Sequence, residues 1–123
     1  MLVVKSGTAT PIELHDVRFT PCVSPSAGST ELAMWTTDLP AATAGAPHQV
    51  DREELVHVLA GRLVVTTAGG TIELSTGDTL AVPAGTLFSL SALDGPARIL
   101  ACARAGLTAT MADGTSLVPP WTQ

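Results

Sequence analysis

The sequence predicts an all-β chain folded as an antiparallel sandwich or barrel with few or no helices. Three observations carry this. Short β-branched and aliphatic segments recur along the chain, each bounded by Gly, Pro, Asp or Ser, the rhythm of antiparallel strands joined by turns. The dipeptide Gly69-Gly70 lies between Leu63-Val64-Val65-Thr66-Thr67 and Thr71-Ile72-Glu73-Leu74, and it takes positive φ at little cost, as a tight hairpin turn requires. No window of about 11 to 18 residues carries the apolar stripe of an amphipathic helix.

Taken in order, residues 1–5 read as a short strand and residues 6–11 as a loop. A second short strand is expected over residues 15–19. Residues 21–29 (Pro-Cys-Val-Ser-Pro-Ser-Ala-Gly-Ser) are rich in turn formers and read as a surface loop. Residues 31–39 favour a strand through their β-branched and aromatic content. The stretch Ala41-Ala42-Thr43-Ala44-Gly45-Ala46, held between Pro40 and Pro47, reads as a loop. Strands then follow near residues 55–59, 63–67, 71–74, 79–82, 87–90 and 98–104. The tail contains Pro119-Pro120-Trp121, which cannot pair as a central strand. It is expected to pack over the barrel or over a partner subunit.

Composition bounds the function. The 123 residues suit one domain with a sizeable core, here a barrel core over about residues 31–104, N-terminal strands over 1–30 and a C-terminal tail over 105–123. Apolar residues make up 46% and charged ones 14%, more apolar surface than one small barrel hides, which points to a homodimer. Net charge is −5, with one lysine and scattered arginines, so no basic patch exists to neutralise nucleic-acid phosphates. The start Met-Leu-Val-Val-Lys lacks the pattern of a signal peptide, and no apolar run approaches the length of a membrane span. A cytoplasmic protein that binds neither nucleic acid nor membrane is expected. Cys22 and Cys102 are far apart in sequence and read as reduced, mostly buried thiols.

The stretch from Gly45 to Gly85 organises the rest. Six residues separate Glu54 from Gly61, and His48 lies upstream. Further on, Gly77 is followed after five residues by Pro83-Ala84-Gly85. Two separated motifs at these spacings resemble those of the cupin family, over roughly residues 31–104. The resemblance implies a cupin-type, jelly-roll-like barrel and places His48 and Glu54 at two of the family's four metal-ligand positions. The other two hold Val50 and Phe88, Ala92 stands at the position of the closing Asn, and Ala42 stands at that of the opening Gly. Neither Val50 nor Phe88 offers a donor, and a metal enzyme site needs about three protein ligands. No cofactor is therefore expected. Any weakly bound divalent metal would rest on His48 and Glu54, with Asp51 or His57 as the outside source of a third donor.

Strand alternation assigns faces. If Glu54 points inward, Val56 and Val58 share its side, whereas Leu55, His57 and Leu59 point outward. Phe88 and Leu90 share a face, which the resemblance makes the inner one. An acid within an apolar barrel has its pKa raised by desolvation, towards the range where it donates and accepts protons near neutrality. Glu54 and His48 are the candidate catalytic pair, and Phe88, Val50, Trp35, Val56 and Leu90 the candidate substrate-binding residues. Phe88 reads either as an aromatic wall or as a filler of the space a lost metal site leaves. The expected ligand is a hydrophobic or aromatic small metabolite of biosynthesis. Three functions fit: metal-independent acid–base chemistry of the isomerase, cyclase or dehydratase type; a non-catalytic binding or sensing module; and a metal-dependent enzyme such as a dioxygenase.

Overall fold

The computed structural model describes residues 1–123. Its strands are β1 (Ile12–Leu14), β2 (Val17–Val23), β3 (Leu32–Leu39), β4 (His48–Val50), β5 (Glu54–Thr67), β6 (Gly70–Ser75), β7 (Thr79–Val82), β8 (Phe88–Arg104), β9 (Ala109–Met111) and β10 (Ser116–Leu117). Two single-turn 3-10 helices, Pro25–Ala27 and Pro120–Thr122, are the only helical pieces, so the expected all-β class is what the chain adopts. No helix is long and apolar enough to cross a membrane.

All ladders are antiparallel, in the order β1-β2-β3-β8-β4-β9-β10, with β5 joined to β6, β7 and β8. The long β8 is the spine of the sheet. Its second half pairs with β3 (Met34↔Cys102, Thr37↔Ile99) and with β5 (Leu55↔Cys102, Val58↔Ile99), while its first half pairs with β5 again (Val65↔Leu90) and meets β4 at His48↔Phe88. Between the halves the β5–β8 register shifts at Val58/Ala60 and Ala60/Arg62. There Gly61 takes φ +79, and a Cβ on it would stand 2.4 Å from the Pro96 carbonyl oxygen. Such a bulge bends the strand pair and curls the sheet around an interior.

Several expectations are corrected. Residues 1–5 form no strand. The strand expected over 15–19 is instead a hairpin whose turn is His15-Asp16, with φ of 51° and 65°, so β2 begins at Val17 and runs on into the segment read as a loop. Pro21 and Cys22 lie within β2, where a register shift between Pro21 and Val23 accommodates the missing N–H. The hairpin near Gly69-Gly70 is present, but its turn residues are Ala68 and Gly69, and Thr67 pairs with Gly70. The pairs of strands expected at 55–59 and 63–67, and at 87–90 and 98–104, are single bent strands. Cys22 and Cys102 are free thiols, and both are only half-buried where mostly buried thiols were expected.

The alternation of faces holds. Ala33, Trp35, Thr37 and Leu39 of β3, Val56, Val58, Leu63 and Val65 of β5, and Ala97, Ile99, Ala101 and Ala103 of β8 are buried. They form two apolar clusters. One contains Leu39, Val58, Leu63, Val65 and Ile99 and the other Trp35, Val50, Ala103, Leu107 and Trp121, and Phe19 packs against both. The C-terminal turn closes over the chain's own sheet: Trp121 is buried, Thr122 donates to the Pro119 carbonyl, and Ser26 Oγ donates to the Gln123 carbonyl at 2.7 Å.

Candidate functional site

Between the two apolar clusters lies a cavity of about 340 Å³. A second depression, about 420 Å³, opens on the surface around Arg18, Asp38 and Arg98. Its arginines are neutralised by Glu13 and Asp38 in exposed ion pairs, and its remaining charged group, Asp16, stands exposed to solvent. The interior cavity is different, because the titratable side chains that reach it, His15, His48 and Glu54, form no ion pair.

Glu54 opens β5. It sits across from Val82 on one side and Ala103 on the other, and Ala103 in turn faces Ala33. These small and apolar neighbours leave space beside the carboxyl and offer it nothing polar. Glu54 is 7% exposed, and its side chain makes no hydrogen bond or ion pair within the protein. Desolvation by burial pushes its pKa from 4.5 up to about 7.

His48 opens β4 and reaches the same cavity. Its Nδ1 lies 2.9 Å from the Ala46 carbonyl oxygen. A carbonyl can only accept, so Nδ1 carries the proton and, in the neutral ring, Nε2 is left as an acceptor. The ring is backed by Phe88, whose centroid is 4.6 Å away at a tilt of 47°. Val50, Trp35 and Leu90 also line the cavity. Phe88 and Val56 do not: Phe88 is buried against His48, its strand partner, and Val56 lies in one of the apolar clusters, so both support the lining without forming its surface.

His57 faces away, its Nδ1 2.8 Å from Thr79 Oγ1, and Asp51 accepts the Thr108 N–H at 2.7 Å. Neither lines the cavity, and no three His, Cys, Asp or Glu side chains gather as a metal-binding group. With Val50 and Phe88 in the other two positions, the donor set does not fit the closed or three-ligand geometry of a metal enzyme.

Sequence reasoning missed three lining residues of consequence. His15 arrives from the β1–β2 turn, which was read as strand. Phe19 and Trp121 also line the cavity, stacked on one another with centroids 3.7 Å apart and planes 5° from parallel. A signal was available for the aromatics: the chain has two Phe, two Trp and no Tyr, and three of the four line this cavity while the fourth backs His48.

A family model described as "Cupin domain" matches residues 35–102, more than half of the chain. No curated protein matches it. Among solved structures it is similar to the polyketide cyclase RemF from Streptomyces resistomycificus, with a TM-score of 0.74 at 16% identity over 85% of this chain and 79% of that one. It is also similar to KdgF from Halomonas sp., with a TM-score of 0.71 at 16% identity over 85% of this chain and 92% of that one. A cupin-superfamily sugar phosphate isomerase from Silicibacter pomeroyi superposes with a TM-score of 0.63 at 23% identity, covering 77% of this chain and 66% of that one. At such identities the likeness is one of fold.

Proposed function

The chain belongs to the cupin family, and we propose that it is a small enzyme performing metal-independent acid–base chemistry, of the isomerase, cyclase or dehydratase type, on a hydrophobic or aromatic metabolite. The observation that carries this reading is Glu54: a buried carboxyl with no protein partner, bordering a largely apolar cavity, and pushed by desolvation to about 7. A group of that pKa holds and releases a proton with similar ease at neutral pH, the condition for efficient general acid–base catalysis. Glu54 takes a proton from one atom of the substrate and returns it to another, which isomerises the substrate; returned to a departing hydroxyl, the same proton leaves as water. His48, fixed through Nδ1, offers Nε2 to a substrate hydroxyl or to the protonated carboxyl. Apolar walls exclude bulk water and keep the proton on the substrate path. The family neighbours include proteins described as a cyclase and an isomerase, which is compatible with this chemistry.

The first test needs no substrate. Titration of the Glu54 side-chain carboxyl carbon by NMR is expected to give a midpoint near 7. A midpoint near 4.5, the ordinary value, overturns the reading.

We also propose that the protein works as a homodimer. Met34, Cys102, Leu55 and Ala81 lie in one outward row across β3, β8, β5 and β7, with Leu55 44% and Leu59 41% exposed. Of the two positions expected for the C-terminal tail, the one over the chain's own barrel is adopted, with Trp121 buried within its own subunit, so the outer sheet face carries the argument. Light scattering is expected to report twice the 12.5 kDa chain mass and Leu55→Asp to reduce it to the monomer. A wild-type monomer at micromolar concentration overturns the proposal.

A further inference from the structure

The polar groups that line the cavity are carried by well-separated parts of the sheet. Arg18, the second residue of β2, pairs with Asp38 near the end of β3, so the His15-Asp16 turn overhangs that end. Glu54 pairs with Ala103, and Ala103 pairs with Ala33 near the beginning of β3. Ala33 and Asp38 are five positions apart on β3, roughly 15–20 Å along the strand before the curl of the sheet and the reach of the side chains shorten it. Both His15 and Glu54 reach the cavity, and neither side chain has a hydrogen-bond partner within the protein. The span between them is walled by Phe19, Trp35 and Trp121.

Charge narrows the ligand further. No lysine or arginine lines the cavity, so a phosphate or carboxylate would leave water to face the Glu54 carboxyl, with no permanent cation to offset its desolvation. The His15 backbone adds an independent observation. It sits at φ 51°, followed by Asp16 at φ 65°, a pair of left-handed positions that Asn-Gly fills with less strain. The side chain placed there is one that reaches the ligand space.

We propose that His15 is the second polar anchor of this site, and that the ligand is an elongated, uncharged, ring-containing molecule with a hydroxyl or carbonyl oxygen at each end, one meeting Glu54 and the other His15. A volume of about 340 Å³ is enough for about two or three fused six-membered rings. The proposal rests on Glu54 being the working group of the cavity, and extends that reading to the substrate class.

Matched naphthalenes test it at pH 7.5: 2,6-dihydroxynaphthalene, with two terminal oxygens; 2-naphthol, with one; and naphthalene-2,6-dicarboxylate, with charged ends. Binding is read from the indole N–H resonances of Trp35 and Trp121, both of which border the cavity. The diol is expected to saturate both signals and to bind about fivefold more tightly than 2-naphthol, the scale of one net hydrogen bond. The dicarboxylate is expected to leave them unshifted at the same concentration. His15→Gly, which suits the left-handed turn and so keeps or raises the melting temperature, is expected to weaken the diol to the level of 2-naphthol and leave 2-naphthol unchanged. Saturable binding of the dicarboxylate at least as tight as the diol overturns the proposal, as does failure of the diol to bind or an unchanged diol affinity in His15→Gly. Its failure is distinguishable from that of the acid–base reading: a Glu54 midpoint near 4.5 with a His15-dependent diol site removes the catalysis and keeps the ligand class, and a midpoint near 7 with no such site does the reverse.

Discussion

Glu54→Gln is expected to abolish most turnover and to make the protein more stable. Gln keeps the shape of the side chain but cannot exchange a proton, so turnover falls by about 100-fold or more, the usual scale of general acid–base catalysis, with affinity nearly unchanged. The stability change follows from the same desolvation. Burial raises the folded-state pKa from 4.5 to about 7. Below pH 4.5 the carboxyl is protonated in both states and costs nothing extra. Between about 4.5 and 7 the unfolded chain ionises while the folded one keeps its proton, so stability falls as pH rises and levels off above 7. A shift of this size corresponds to about 3 kcal/mol lost by pH 8, a loss that Glu54→Gln removes. The variant should therefore melt roughly 10 °C above the wild type at pH 8 and converge with it near pH 4. His48→Ala should reduce turnover less, since His48 assists a proton that Glu54 carries. In a purely binding protein, Glu54→Gln would instead lower affinity in step with one lost hydrogen bond, with no turnover to lose. A variant with full turnover, full affinity and an unchanged pH–stability profile sinks the role of Glu54.

What was legible in the sequence was whatever a period of two or a motif spacing records. The inward set Glu54, Val56 and Val58 and the outward set Leu55, His57 and Leu59 follow from alternation along one strand, because every second side chain of a strand shares a face. The Glu54–Gly61 and Gly77–Pro83–Gly85 spacings identified the family that the match over residues 35–102 assigns. Turn chemistry was read less well. His-Asp is not a dipeptide that announces a left-handed turn, so the β1–β2 hairpin was hidden, and His15 with it. The glycine at position 61 marked a strand end in the sequence, whereas in the structure it lets β5 continue through a bulge against Pro96 and Ala97. Phe19 and Trp121 lie 102 positions apart in the numbering, and their stacking depends on the tail folding back over β2. No local pattern encodes a contact of that separation. Phe88 shows the limit of transferring a motif position: it occupies a ligand's place in the sequence, yet its ring is spent packing against His48, its strand partner, and takes no part in the cavity lining.

The wild-type protein is expected to purify without a stoichiometric transition metal, and the double substitution Val50→His with Phe88→His to gain one. His48 and Val50 lie two residues apart on β4 and both line the cavity, while Phe88 is the strand partner of His48. In the present chain those neighbours of His48 are an aliphatic and an aromatic side chain, so His48 Nε2 and the Glu54 carboxyl are the only free donors at the motif positions. Replacing both with imidazole would supply three nitrogens and one carboxylate, enough for a site with three or four protein ligands. Metal binding would also hold Glu54 ionised, since an adjacent cation favours the carboxylate. The variant is thus expected to retain about one zinc or manganese per chain through dialysis and to lose the neutral-pH titration of Glu54 together with its acid–base turnover. Phe88→His alone, with Val50 still blocking one position, is expected to bind metal more weakly than the double variant. Because Phe88 packs against His48, its single replacement should also loosen the imidazole, measurable as shifted or broadened His48 ring resonances. Elemental analysis of the wild type showing about one zinc, iron, manganese or nickel per chain after dialysis would overturn the metal-independent mechanism, because Glu54 would then be a ligand and its carboxyl could not serve as the proton carrier.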